Sequence, residues 1–341
     1  MLYDKVTLIA KRLLLAIPTL LGVLVISFSL TRALPGDPAV YFAGAMADEA
    51  SIQQVREQLG LDRSLPYQFI AYCKNLAQGE LGQSLSTGQS VSSEISTRLP
   101  ASMELTLFGL FLALITAIPL GILAALKPNT WIDHLCRVLV TGGASMPIFF
   151  SGLFLMYVFY YLLGWAPSPI GRLDFIYLAP THVTGFYTID ALLESDFETF
   201  SAALSQLLLP ATTLALCALA PIARMTRSSM ITALDSEYVK AAKANGISVS
   251  VRVYVYALQN ASLPLLTVIG LVFGFLLGGN VLVEKVYSWP GVGTFAIDAL
   301  VASDYAAIQG FVLVMAVLFV TLNLTIDILY TLFDPRMGRN E

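Results

Sequence analysis

Apolar residues gather in six long stretches, near 10–31, 102–126, 138–164, 206–223, 261–283 and 309–332, separated by segments rich in polar residues and turn formers. A helix needs about 20 apolar residues to cross ~30 Å of hydrocarbon at 1.5 Å per residue. Each stretch therefore predicts one span, and the whole predicts an all-α integral membrane fold with six transmembrane helices. The fourth is the shortest, with Pro210 and Pro221 near its ends; neighbouring helices satisfy backbone groups that a proline frees. The first follows Lys11 and Arg12 as a signal peptide would. Its apolar run from 13 to 30 exceeds the roughly 7–15 residues of a signal core, so it predicts a retained span.

The intervening segments are unequal. Residues 32–101 form one long polar piece, 165–205 a second on the same side, and 224–260 the only long piece on the other. With the N-terminus inside, 12 of the 19 basic residues fall on inner segments, Lys127, Arg137, Arg224, Arg227, Lys240 and Lys243 among them. That is the positive-inside pattern, and it places both termini in the cytoplasm. Tyr157, Tyr160, Tyr161 and Trp165 cluster where an outer aromatic belt would lie.

Composition agrees: 57% of the 341 residues are hydrophobic and 12% charged, about half the charge of a soluble domain. A net charge of -4 argues against nucleic acid as a partner. Cys73, Cys136 and Cys217 are far apart, and His134 and His182 fall on opposite sides, so no disulfide, metal site or other cofactor is expected. No Gly-Lys dipeptide is present, so there is no Walker A loop, and an ATP-driven role would need separate ATPase chains.

The inner segment carries the densest signal. Asp235 or Ser236 suits an N-cap, Glu237 adds charge to a first turn and Gly246 suits a C-terminal stop, which predicts a short helix over 236–245. A second helix is expected from Ser248 or Ser250 to Asn260, with Pro264 marking entry into the fifth span. The run E-Y-V-K-A-A-K-A-N-G at 237–246, with A-L-Q-N-A-S-L-P at 257–264, resembles the coupling-helix signature of type I ATP-binding-cassette importer permeases. It is most similar to the B-type subunits of the dipeptide, oligopeptide and nickel group. Leu34-Pro-Gly-Asp-Pro38, Leu59-Gly-Leu-Asp62, Gly79-Glu-Leu-Gly-Gln-Ser84 and Arg98-Leu-Pro100 resemble the external segment of that group. Glu284-Lys-Val-Tyr-Ser-Trp-Pro-Gly-Val-Gly293, Asp304-Tyr305 and Asp334-Pro-Arg336 resemble its C-terminal third. The chain departs from the usual pattern at Asn245, Tyr256 and Gln259.

The resemblance implies a type I importer permease fold with a large external segment after helix 1. It divides the chain into 1–101, a helix plus external segment, and 102–341, a permease core with the coupling loop at 224–260. It implies a subunit that moves peptides or related small solutes across the bacterial inner membrane by alternating access. Its partners would be a second homologous permease, two ATP-binding subunits inside, a solute-binding protein outside and the lipid bilayer. Glu237, Tyr238, Ala241, Ala242 and Gly246 would form the ATPase-coupling element, docking through a small Ala241/Ala242 face; the alternative is an amphipathic connector on the membrane surface.

Gly278, Glu284, Trp289 and Asp327 are the residues assigned to a substrate pathway or external gate. Each has a plainer alternative: helix packing for the Gly270, Gly274 and Gly278 series, an ordinary turn for Glu284 and Trp289, and a water-accessible helix end for Asp327. A secondary transporter would want ionisable groups near the midplane, of which Asp327 alone is a poor supply, and an intramembrane enzyme a nucleophile–base set, which the spans lack.

Overall fold

The computed structural model describes residues 2–33, 38–44, 47–58 and 60–333, and these form helices joined by turns. In chain order they are α1 (Leu2–Ala33), α2 (Pro38–Ala43), α3 (Glu49–Gln58), α4 (Leu65–Ala77), α5 (Val91–Leu126), α6 (Trp131–Ala144) and α7 (Ile148–Leu155). A π-helical turn (Met156–Leu162) extends α7. They continue with α8 (Tyr187–Leu193), α9 (Phe197–Leu234), α10 (Glu237–Ala244), α11 (Val249–Val251), a second π turn (Arg252–Ala257), α12 (Leu258–Val286), α13 (Val292–Val301) and α14 (Tyr305–Phe333). Among the described residues there is no sheet, only one antiparallel bridge between Gln83 and Ser90.

Four helices are long and apolar enough to cross a membrane: α5, α9, the continuous rod 249–286 and α14; α6 with α7 makes a fifth if the bent pair is one span. Of α1, the described apolar part is Ile17–Ser29. The six expected spans therefore appear as four, with the bent pair a possible fifth.

The third stretch departs from expectation. In place of one helix over 138–164, α6 and α7 meet at 97°. The cause is local: Gly142 and Gly143 weaken the end of α6, and Pro147 removes a backbone donor and disfavours helical geometry at Met146. Pro147 instead sits at the N-cap of α7 with extended backbone.

The loops are also shorter than the hydropathy implies, because α5 and α9 overrun the hydrocarbon. At 38 residues α9 is about 57 Å long, well beyond a ~30 Å core. It absorbs residues 224–234, so the non-helical part of the expected 224–260 loop is confined to the joints flanking α10. The helix expected to end at Asn260 runs through Pro264 without a break. Likewise α5 begins at Val91, with Pro100 inside it.

The core lies where α5 crosses α9, flanked by α12. On α5 a four-residue repeat, Gly109, Ala113, Ala117 and Gly121, is buried, and it faces Ala211, Leu214, Ala218 and Ile222 of α9. Small residues at this spacing let helix backbones approach closely in a membrane. A Cβ on Gly121 would lie 2.6 Å from the Thr226 Cβ and 2.8 Å from the Ala223 carbonyl oxygen. Around this crossing, α6 packs on α9 and α5, α7 on α12 and α9, and α14 on α1, α12 and α13. Gly270 and Gly274 of α12 abut Ile326 and Phe319 of α14, whereas a Cβ on Gly278 would meet nothing within 4 Å.

These contacts predict opposite outcomes for one substitution at two glycines. Gly121→Ala should destabilise the folded chain by about 1–3 kcal/mol through overpacking. Gly278→Ala should leave it unchanged or slightly more stable. Thermal unfolding of the two variants in one detergent checks this; equal midpoints would contradict it.

Candidate functional site

The chain presents two chemically distinct ends. At one end α10 is a helix of eight residues, starting after Ser236 and closed by Gly246, whose φ of +74° is the left-handed stop that a glycine permits. Gly246 accordingly has the conformation expected of it. Val239 and Ala242 are buried, on the side where α10 packs against the π turn at 252–257 and against α9. Glu237, Tyr238 and Ala241 are exposed. This corrects one expectation: Ala241 and Ala242 do not share a face, because consecutive residues lie about 100° apart on a helix. Ala242 is only 4% exposed and seats the helix on its own chain, while Tyr238 at 41% and Ala241 offer the open face. Lys240 bridges Asp235 at 3.1 Å and Glu237 at 3.2 Å; such exposed pairs contribute little.

An ion pair with a fully buried carboxylate braces this end. Arg227 of α9 donates twice to Asp133 of α6, Nε to Oδ1 at 2.8 Å and Nη2 to Oδ2 at 2.6 Å, and the Asn129 amide donates to the same carboxylate at 2.9 Å.

At the opposite end Glu284 is 1% exposed. It accepts from the Ser102 hydroxyl at 2.5 Å, the Asn280 amide at 3.0 Å and the Thr294 backbone at 2.9 Å. One carboxylate thus joins α5, α12 and α13. Asn280 also donates to Thr106 Oγ1 at 3.0 Å, and the Val292 amide donates to Ser102 Oγ at 2.9 Å. Trp289, 1% exposed, donates its indole N–H to the Ala101 carbonyl at 2.9 Å. The glycines of the Trp-Pro-Gly-Val-Gly run follow from this packing: a Cβ on Gly291 would overlap the Glu284 carboxylate, and one on Gly293 would lie 2.8 Å from its Oε2. Glu284 and Trp289 thus belong to one buried latch and are not an exposed turn. Gly278 lies apart from it, on a stripe of α12 that also exposes Leu271, Phe275 and Leu282. The side chain of Asp327 lies outside the described residues, as do most of the Leu34–Pro38 run, Leu59 and Asp334–Arg336.

Three further anchors at this end were not anticipated. Arg172, from the segment before α8, pairs with Glu104 of α5 at 2.6 Å and lies over the Tyr187 ring at 3.5 Å. Thr188 donates backbone and hydroxyl to the other Glu104 oxygen, at 2.9 and 2.7 Å. Asp190 accepts from Thr184 and Gly185; burial raises its pKa, but these hydrogen bonds outweigh it and hold the carboxyl below its usual value. Asp304 accepts from Ser84 at 2.6 Å and from the Ser86 amide at 3.1 Å, tying the segment before α5 to α14. The sequence signals for these contacts are that Ser84 and Asp304 both fall in runs resembling the family, and that Glu104, Arg172 and Asp304 are charges in apolar surroundings, which are seldom fully buried unless paired.

The latch predicts a graded loss. Glu284→Ala strands the Ser102, Asn280 and Thr294 donors and should cost about 3 kcal/mol of stability. Glu284→Gln keeps one acceptor oxygen and should cost less. Thermal unfolding of both variants reads the order; an unchanged midpoint for Glu284→Ala would show that the latch contributes nothing.

Known proteins place this architecture. The family described as "Binding-protein-dependent transport system inner membrane component" matches residues 117–339, and its N-terminal companion matches 5–106. The chain is 45% identical to the probable D,D-dipeptide transport system permease protein DdpB of Escherichia coli, over 93% of both chains. It is 44% identical to the di/tripeptide transport system permease protein DppB of Pseudomonas aeruginosa, over 96% of this chain and 98% of that one. It is 37% identical to the glutathione transport system permease protein GsiC of Pectobacterium atrosepticum, over 95% and 96%. Among solved structures, a chain of the inward-facing MetNI methionine ABC transporter shares the fold, with a TM-score of 0.51 at 16% identity, over 69% of this chain and 93% of that one. With its apolar helices, its α10 element and these matches over nearly its whole length, the chain belongs to the family of inner-membrane components of binding-protein-dependent transport systems, as a multi-pass permease of the ATP-binding-cassette importers.

Proposed function

We propose that this permease moves di- or oligopeptides, or closely related small solutes, inward by alternating access, driven by ATPase subunits that dock on α10. The solute class is supported by relatives at 37–45% identity whose names specify D,D-dipeptides, di- and tripeptides, and glutathione. The orientation is supported by the basic residues: α10 and the Arg224, Arg227 and Arg137 cluster lie at one end, which the positive-inside pattern assigns to the cytoplasm together with both termini. The Glu284 end then faces outward, where a solute-binding protein delivers its load. The exposed α12 stripe containing Gly278 lies against a second, homologous permease along the solute path.

The observation that carries this reading is the placement of α10. It stands at the joint between the two long rods, α9 and 249–286, seated by Val239 and Ala242 and open at Tyr238 and Ala241. A partner pressing on the open face displaces both rods, and rigid helices carry that displacement across the membrane. Small Ala241 lets the partner approach the α10 backbone closely, and Glu237 offers a charged contact at its N-terminal end.

Ala241→Arg should leave the permease folded, since Arg is nearly as good a helix former as Ala. It should weaken ATPase recruitment about a hundredfold, the equivalent of about 3 kcal/mol for an uncompensated charge in an interface. Vesicle uptake and membrane-bound ATPase measure this. Ala242→Arg should instead destabilise the permease itself. Unchanged uptake and recruitment in Ala241→Arg would make α10 a surface connector. For orientation, cysteines at Lys243 and Thr181 in a cysteine-free chain should label oppositely with an impermeant thiol reagent: only position 181 from outside sealed spheroplasts. The reverse pattern would invert the topology.

A further inference from the structure

A cavity of about 270 Å³ opens between α5, α6 and α9 at the α10 end of the bundle, and nothing in the coupling or latch chemistry uses it. Leu120, Ala124, Val140 and Ala223 give it apolar walls, and Arg137, Arg224 and Arg227 also line it. Asp133, buried behind it, neutralises Arg227 through two short hydrogen bonds and reaches Arg137 only at 3.4 Å. Among the described residues Arg224 has no carboxylate partner; its Nε donates to the Ala220 carbonyl at 3.2 Å. Three guanidiniums against one carboxylate leave the cavity cationic.

The wall helix α6 locates the cavity relative to the bilayer. It lies at 97° to α7 and exposes Trp131, Leu135, Val138 and Leu139 while burying Asp133, Cys136 and Val140. A helix with one apolar open face, a tryptophan in its first turn and a sharp bend into the next apolar segment lies in the membrane interface. On that reading of α6 the cavity opens at the depth of lipid headgroups. Basic pockets between transmembrane helices suit phosphate-bearing lipids there, and a guanidinium pairs with phosphate in a bidentate, charge-assisted fork.

We propose that this cavity binds the headgroup of an anionic phospholipid. Arg137 and Arg224 contact the phosphate, Arg227 is held in place by Asp133, and the apolar walls receive the glycerol and first methylenes. The proposal rests on reading the chain as a membrane permease and does not depend on which solute it carries. Bound lipid would brace α6 against the cytoplasmic ends of α5 and α9, beside the coupling helix.

The test uses the full chain in its assembled transporter, delipidated, then titrated with phosphatidylglycerol or phosphatidylcholine and read by native mass spectrometry. The double variant Arg137→Gln/Arg224→Gln should need about tenfold more phosphatidylglycerol for equal occupancy, with phosphatidylcholine unaffected. If the double variant fails to fold, Arg224→Gln alone, which breaks no ion pair, should show a smaller loss in the same direction. Equal phosphatidylglycerol binding by wild type and variants overturns the proposal. Displacement of the lipid by inorganic phosphate would assign the cavity to a soluble anion, and displacement by a dipeptide would assign it to the solute path; either overturns it. A negative result here with ATPase recruitment still lost in Ala241→Arg leaves the permease reading standing.

Discussion

Close approach of α5 and α9 is the constraint on which the rest of the structure depends. In a bilayer, apolar side chains gain little by leaving lipid for protein, so helices associate through packing and polar contacts. A Cβ on Gly109 would lie 2.9 Å from the Leu214 Cβ and one on Gly121 2.6 Å from the Thr226 Cβ, and Ala113 and Ala117 continue the groove between them. Two helices of 36 and 38 residues are thereby locked along much of their length, and α6, α7, α8, α10, α12, α13 and α14 each pack on one or both of them.

Each end of that pair is then finished by polar chemistry that the packing shields from water. At the outward-assigned end Glu104, Glu284 and Asp304 each draw together segments distant in sequence, with Arg172 the one cation buried among them within the described residues. At the other, Asp133 and Arg227 fasten α6 to α9. Removing one partner from such a set leaves a buried group unsatisfied, which costs more than the contact itself contributes. The segments bearing Ser84, Arg172 and Thr188 are thereby fastened to the helices they grip. The joint bearing α10 buries two small apolar side chains, Val239 and Ala242, and it is where the proposed ATPase contact would act on both rods.

The membrane class, the short helix at Glu237–Ala244 and its glycine stop were legible because each rests on local rules: hydrophobic run length, capping preference and the left-handed conformation at Gly246. What escaped depends on three-dimensional neighbours. That Ala242 faces inward and Ala241 outward follows from how α10 sits on residues 252–257, which helical periodicity alone cannot orient. Glu104 and Arg172 are 68 residues apart, so nothing local marks them as a pair. The break at Pro147 could have been read from Gly142, Gly143 and Pro147 together, but a hydropathy average over the stretch hides it. The small-residue repeat on α5 was readable at four-residue spacing and was overshadowed by the more conspicuous glycine series of α12.

The central claim is that the open face of α10 is where an ATPase subunit docks while its buried face holds the permease together. Photo-crosslinking tests this most directly: a photoreactive residue placed singly at Tyr238, Val239 or Ala241 in membranes that contain the ATPase. The account predicts an ATPase adduct from positions 238 and 241 and none from 239, whose side chain is 4% exposed and turned into its own chain. An adduct of equal yield from 239, or none from 238 and 241, would contradict it.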